Sequence, residues 1–318
     1  MMDSLMSRRG FFKRLGGLVL AAAPLMSPMP LLTSCGQDDS KDRRRKLIIL
    51  HTNDVHSHID PFPASDPRYA GLGGYARRET IICDTIRRYG AENVLVFESG
   101  DMFQGTPYFN FYHGKLEMQL MNRMHIDAVT IGNHEFDNGV SALCDCMEIA
   151  NFPFLSANYT FTDPRGAELV KPYKVFERGG FRVGVFGLGI RLAGLVAPAN
   201  CDSVRFSDIV PTAQNVVNKL RVDEGCDIVI ALTHLGFEDG PNGDCDKALA
   251  ANTSGIDFIL GGHSHTFLPE PVFVKNVNGE PVFINQVGYG GVNVGRIEIG
   301  ADASSRAGLI SAGNMVVG

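Results

Sequence analysis

"LIILHTNDVHSH", Leu47–His58, starts with four apolar residues and ends in a run of nitrogen and oxygen donors: Asn53, Asp54, His56 and His58, with His51 just before them. A short apolar run of this kind reads as a buried strand. Donors crowded beyond a strand end read as one corner of a site, because ligands in open α/β sheets gather outside the carboxyl ends of strands. One corner makes no site unless other strands bring partners to the same edge.

Four further stretches do so. "VLVFESGDMFQGT" (94–106) delivers Asp101, and "AVTIGNHEFDNG" (128–139) delivers Asn133, His134, Glu135 and Asp137. "DIVIALTHLG" (227–236) delivers His234, and "DFILGGHSH" (257–265) delivers His263 and His265. Glycines stand beside these donors, as a backbone that must approach an ion closely requires.

The pattern around them alternates. Apolar β-like runs fall at 47–51, 94–98, 127–131, 183–187, 227–232 and 257–260. Between them, "RRETIICDTIRRYG" puts Ile81, Ile82, Thr85 and Ile86 on one helical face, and "DIVPTAQNVVNKL" does the same for Ile209, Ala213, Val216, Val217 and Leu220. Strands alternating with helices predict the α/β class. Two hairpins make the sheets mixed. "YKVFERGGFRVGVFG" turns at Gly179–Gly180, and "PVFVKNVNGEPVFIN" turns at Asn278–Gly279, a dipeptide that predicts a type I′ turn.

Composition bounds the function. A chain of 318 residues with 44% hydrophobic content has room for one large core or two smaller domains. A formal charge of −6 argues against a nucleic-acid binder, which shows a basic face. It does not argue against phosphorylated substrates, because a metal can supply local positive charge.

The first residues read separately. "SRRGFF" (7–12), followed by Lys13, has the form of a twin-arginine export signal. The apolar stretch Leu15–Met26 is too short to span a membrane, and Pro24, Pro28 and Pro30 would interrupt a helix. "LTSC" (32–35) resembles a lipobox with Cys35 as the acylated residue. We therefore expect a signal peptide over 1–34, a charged flexible tether over 35–45 and a catalytic domain over 46–318. The expected location is outside the cytoplasm, lipid-anchored, at the periplasmic face or the cell surface. Six cysteines remain after Cys35, an even count that permits disulfides, although a protein folded before export does not need them. Cys144 and Cys146 sit two apart in a helical pattern, face different ways, and read as buried or paired thiols.

Imidazoles, carboxylates and one amide, without cysteine, suit Zn, Mn, Fe or Co ions better than Ca²⁺ or a Cys-bound structural zinc. The inventory is large enough for two divalent metal ions. A carboxylate can bridge two such ions roughly 3.5–4 Å apart, with a hydroxide between them. If the segments are extended, Asp54 and His56 point to one side, as do His263 and His265. His51 then faces the opposite side, His113 and His125 read as helix residues, and Arg77 and Arg78 read as a solvated helix start.

The order D-x-H, GD, GNHE, TH and GGHSH resembles the calcineurin-like metallophosphoesterase superfamily, and "ILHTNDVHSH", "GDMFQGT" and "GNHEFD" resemble its 5′-nucleotidase branch, over about residues 46 to 300. The resemblance implies a four-layer α/β/β/α sandwich with mixed sheets and a binuclear site at one edge. It implies that Asp54, His56 and His265 bind the first metal, that Asp101 bridges, and that Asn133, His234 and His263 complete the second. His134 and Asp137 resemble the family's catalytic dyad; the alternative for Asp137 is a cap on the helix beginning near Asn138. Glu135 reads as structural.

The activity implied is hydrolysis of phosphate monoesters, foremost nucleoside 5′-monophosphates, by in-line attack of a metal-bound hydroxide. Alternatives with the same site are a 2′,3′-cyclic phosphodiesterase with 3′-nucleotidase activity and a UDP-sugar hydrolase. A thiosulfohydrolase is more distant, and "FD" after "GNHE" argues against it. A non-catalytic metal- or nucleotide-binding lipoprotein is the reading from another class. The 5′-nucleotidases that the chain resembles carry a second domain that supplies phosphate-binding arginines and base-stacking aromatics. That domain could be a separate polypeptide, the enzyme could be a minimal phosphoesterase, or the sequence could be a fragment. The separate partner is the expectation.

Overall fold

The computed structural model describes residues 45–238, 243–301 and 307–318. Cys35, the twin-arginine stretch and the tether up to residue 44 lie outside the described residues. Arg45, read as the last tether residue, already pairs with Ala301 as the first residue of a strand.

Two sheets form the centre. The first contains Arg45–Thr52 (β1), Val94–Glu98 (β2), Ala128–Thr130 (β3), Phe154–Leu155 (β4), Val170–Lys171 (β6), Asn293–Ala301 (β14) and Gly308–Val316 (β15). Its order is β15-β14-β1-β2-β3-β4-β6. The second contains Tyr173–Arg178 (β7), Phe181–Gly189 (β8), Ile228–His234 (β10), Phe258–Leu260 (β11), Val272–Lys275 (β12) and Pro281–Asn285 (β13), ordered β12-β13-β11-β10-β8-β7. A small ribbon pairs Tyr159–Phe161 (β5) with Val204–Phe206 (β9). The second sheet has a parallel middle and an antiparallel hairpin at each margin, and the first is parallel from β1 to β6 and antiparallel through β14 and β15, so the mixed character expected is present.

Strand alternation builds the layers. Leu47 and Ile49 of β1, Leu95 and Phe97 of β2, and Ile228, Ile230 and Leu232 of β10 share one core between the sheets. Their alternates face outward. Ile48, Leu50, Val94 and Val96 pack under the helices Tyr75–Tyr89 (α1), Lys115–Arg123 (α3) and Gly139–Ile149 (α4). Val229 and Ala231 pack under Ile209–Asn218 (α7) and Asp246–Asn252 (α8). Three short helices, Pro107–Tyr112 (α2), Pro164–Leu169 (α5) and Pro198–Cys201 (α6), each start on a proline, whose missing N–H costs nothing there. The result is the four-layer α/β/β/α sandwich. Because both faces of the central strands are covered, β1, β2 and β10 read as continuous apolar runs.

The hairpins differ in one detail from the expectation. Gly179 and Gly180 both have positive φ, as a type I′ turn needs. At Asn278–Gly279 only the glycine does (φ 79°). Gly279 N–H bonds Asn276 O, and Asn276 Oδ1 accepts from the N–H groups of Asn278 and Glu280, each at 2.9 Å. That side chain favours a longer loop with one left-handed residue over the two-residue turn.

His51 faces the inter-sheet core, as its parity predicts. It is buried, Asn285 Nδ2 of β13 donates to its Nε2 at 3.0 Å, and burial pushes its pKa down to about 3. The imidazole is thus neutral in the folded chain but takes up a proton near pH 6.5 when unfolded. Stability from this group is complete above pH 6.5 and is lost as pH falls toward 3, so it falls by about 2 kcal/mol between pH 7 and 5. Urea denaturation at the two pH values should show a smaller loss for His51→Gln; equal losses would show that His51 does not titrate this way.

Candidate active site

The five donor loops meet where the carboxyl ends of the two parallel sheet centres come together. Asp54, His56 and His265 form one group whose donor atoms lie within 4.8 Å of each other, and Asp101, His234 and His263 form another. His265 Nε2 lies 3.4 Å from Asp54 Oδ1 and 3.0 Å from His56 Nε2. His234 Nε2 lies 3.0 Å from Asp101 Oδ2, and His263 Nδ1 lies 2.9 Å from Asn133 Oδ1. Donors sharing one ion at bond lengths of ~2.0–2.2 Å stand roughly 3–3.6 Å apart, so these spacings suit ligation. His56 Nε2 stands 3.9 Å from Asp54 Oδ1 and 3.8 Å from Asp101 Oδ2, linking the groups.

Backbone groups fix the rings and carboxylates. His234 Nδ1 is 2.7 Å from Ser99 O, and His56 Nδ1 is 3.1 Å from Phe103 O, which turns each Nε2 inward. His263 N–H donates to both oxygens of Asp54, at 3.1 and 2.9 Å, and Asn53 Nδ2 donates at 2.6 Å. His134 N–H donates to Asp101 Oδ1 at 2.9 Å. Glu135 ties two loops together. Its oxygens accept from the N–H groups of Asp101, Met102, Phe103 and Gly132. A Cβ at Gly132 would lie 2.2 Å from Asp101 Oδ1, so only glycine lets these two loops approach.

The electrostatics favour a cation. Asp54 and Asp101 are 0% and 2% exposed. Burial would raise the Asp101 carboxyl, but the His234 charge and hydrogen bonding outweigh it and hold it well below the usual carboxylate range. Burial would lower His234, but Asp101 outweighs it and lifts the imidazole to about 10. Burial, then His234, hold His263 down at about 4, so it offers a lone pair at neutral pH. His234 Nε2 is buried 3.0 Å from Asp101 Oδ2 and 3.9 Å from Asp54 Oδ1. An imidazole nitrogen aimed at two buried carboxylates fits a divalent cation held among them.

His134 Nδ1 bonds Asp137 Oδ2 at 2.8 Å, and its ring stands 5.3 Å from that of His56. Burial would lower its pKa, but the Asp137 bond and the charges of Asp101, Asp137 and Glu135 raise it. Asp137 does not cap α4; Asn138 precedes that helix without a side-chain cap bond.

Several expectations from the sequence need correcting. Asp54, His56, Asp101, His263 and His265 have φ of 52°, 51°, 54°, 79° and 51°. These donors converge through left-handed turns, not through the alternation of extended chain. His113 and His125 are also left-handed and lie at helix ends. Arg78 is buried, not solvated; its guanidinium lies 4.1 Å over the Tyr75 ring and 3.8 Å from Glu98. The cysteine reading needs no correction: the six described cysteines are all free, and Cys144 and Cys146 are buried in α4 as expected. The donor pattern does not mark Tyr289. This residue packs against the His265 and His56 rings at 4.7 and 5.2 Å, and the glycines of "GYGG" around it are the signal that could find it.

Residues 47–267 match the family model of the calcineurin-like phosphoesterases. The chain belongs to that family. It is 36% identical over 233 residues to snake venom 5′-nucleotidase from Crotalus adamanteus, covering 70% of this chain and 37% of that one. It is 33% identical over 298 residues to the trifunctional nucleotide phosphoesterase protein YfkN of Bacillus subtilis, covering 83% and 19%. The solved structure of a 5′-nucleotidase precursor from Thermus thermophilus superposes with a TM-score of 0.75 at 33% identity, covering 85% of this chain and 54% of that one. The chain thus spans about a third of the venom protein and about half of the Thermus one. In this phosphoesterase the donors lie on loops that a rigid scaffold of sheets positions.

The bracing by Glu135 is testable. Glu135→Ala leaves buried N–H groups unpaired and should cost about 3 kcal/mol in urea denaturation, with less metal retained after dialysis. Unchanged stability and metal content would remove Glu135 from this role.

Proposed function

We propose that this phosphoesterase hydrolyses nucleoside 5′-monophosphates with two divalent cations, Zn or Mn foremost and Fe or Co as alternatives. The observation that carries the proposal is the convergence of seven donors on two adjoining groups beside a His–Asp pair. Asp54, His56 and His265 would hold one cation, Asn133, His234 and His263 the other, with Asp101 between them. Bound there, such cations act as Lewis acids on phosphoryl oxygens and lower the pKa of water toward neutrality.

The remaining steps fall to the chain itself. Asp137 holds the His134 imidazole through Nδ1. The other ring nitrogen then donates to a phosphoryl oxygen or protonates the leaving alkoxide. The Asp137 bond and the neighbouring carboxylates raise the pKa of this imidazole, which favours the proton staying on the ring. The buried rings and carboxylates exclude water from the inner side, and the half-exposed His134 and Asp137 leave the outer side open to an ester.

A wider range of nucleotide phosphoesters, cyclic diesters and UDP-sugars included, is the second reading. It is favoured by the alignment with a protein named as trifunctional along 83% of this chain. The proposal also includes a second polypeptide that supplies further contacts to the nucleotide, and export with lipid anchoring at Cys35, for which "SRRGFF" and "LTSC" are the support.

The purified chain loaded with Mn²⁺ or Zn²⁺ should release phosphate from 5′-AMP and stop on chelation. His134→Ala should lower kcat roughly 10²–10⁴-fold with metal content unchanged. No release from AMP, an aryl phosphate, a cyclic nucleotide or UDP-glucose, with two ions bound, would overturn the proposal.

A further inference from the structure

A chain of aromatic rings leads from the donors to the surface. Tyr289 lies 4.7 Å from His265 and 6.2 Å from Phe62; Phe62 lies 5.1 Å from Tyr69; Tyr69 lies 5.7 Å from Phe267, with planes 21° apart. The inner members are buried or half-buried, but Phe267 is 40% exposed. Ring planes in contact are ~3.5 Å apart, so centroids 5.7 Å apart overlap only at their edges, and the two rings form a step rather than a closed stack.

The step is built rigidly. Phe267 bridges to Val287, Leu268 N–H bonds Gln286 O, and the inner side of the Phe267 ring lies on Gly288, where a Cβ would come within 2.2 Å. Asp66 Oδ1 accepts from Arg68 N–H and Tyr69 N–H, at 2.8 and 2.7 Å. The loop from Phe62 to Leu72 is closed on itself by Phe62 N–H to Leu72 O and Gly71 N–H to Phe62 O. Both rings are held by backbone bonds, so little freedom would be lost when a ligand is bound.

We propose that Tyr69 and Phe267 form a stacking platform, on this domain itself, for a flat group carried by the leaving alcohol, such as the nucleobase of a nucleoside. The inference rests on the phosphoesterase reading above and names the part of the substrate that the metal donors do not touch. Phe267 follows His265 by two residues, so their Cα atoms stand at most ~7 Å apart, a span of the order of the distance from phosphate to base in a nucleotide. Aromatic faces take any base, because every base has a π-face. The platform therefore selects for a flat group and not for one nucleoside. The competing role is that the pair merely covers Phe62.

Leucine separates these roles, since it covers Phe62 but has no π-face. In the metal-loaded full chain, Phe267→Leu should raise KM for 5′-AMP about tenfold. KM for ribose 5-phosphate, kcat for both and the urea midpoint should hold, and Phe267→Tyr should restore the AMP value. Saturation-transfer NMR with adenosine, which needs no hydrolysis, should show transfer from the protein to the base in the wild type and lose it in Phe267→Leu. If AMP and ribose 5-phosphate shift together or not at all, and adenosine transfer is absent or unaltered, the platform is overturned. If neither ester is hydrolysed but the adenosine signal is present and lost in Phe267→Leu, the platform stands and the hydrolytic reading falls.

Discussion

Two carboxylates, Asp54 and Asp101, lie buried within 4 Å of the same two imidazole nitrogens, those of His56 and His234. An uncompensated buried charge costs several kcal/mol, and two close together cost more. The compensation comes from every quarter. His263 N–H from the second sheet reaches Asp54 of the first, His134 N–H reaches Asp101, and Asn53 is itself held by Gly288 O and Val287 N–H. The loops cannot satisfy these carboxylates one sheet at a time. Docking of the two sheets and assembly of the site are therefore one event, and the apolar layer between the sheets sets the distance at which the loops meet.

The left-handed turns follow from the same demand. A non-glycine residue at positive φ costs of order 1 kcal/mol or more, although Asp, Asn and His tolerate it better than most. Here five donors accept it. Each of their loops must leave a parallel strand, bring a side chain over the sheet edge and turn outward again within a few residues. Extended chain would carry alternate donors past the edge instead. The strain is held by the bonds around it: Asp54 N–H to Gly100 O, His56 N–H to Asp101 O, and Glu135 across the Asp101 loop. Backbone bonds thereby set where the donors stand.

Much of this is legible in the amino-acid order. The six apolar runs are strands, the two quoted helices are α1 and α7, and the two-faced burial of β1, β2 and β10 follows from uninterrupted apolar residues. Donor type is legible because it depends on composition at strand ends. Backbone conformation at those ends is not, because Asp and His occur in both extended and left-handed chain. Nor is Arg78: an arginine in the first turn of a helix reads as solvated until the packing of α1 puts it beside Glu98 and Tyr75. The Asn278–Gly279 turn departs from expectation for a local reason, since Asn276 competes for the same N–H groups. Tyr69 and Phe267 are 198 positions apart, and no periodicity could bring them together.

The division between inner and outer parts of the site explains why the reaction is easier to assign than its substrate. The inner part is buried, backbone-braced and intolerant of change: Gly132 has no room for a methyl, and Glu135 has no spare acceptor. Such a part reads the feature that all phosphate esters share. The outer part, formed by His134, Asp137, His265 and the Tyr69–Phe267 step, is half-exposed and borders solvent. Apart from His265 and the His134–Asp137 pair, residues there can change without disturbing the carboxylates beneath, so one donor arrangement can serve esters with different leaving groups. Selectivity in such a molecule is a property of the rim, whether the rim belongs to this domain alone or is shared with a partner.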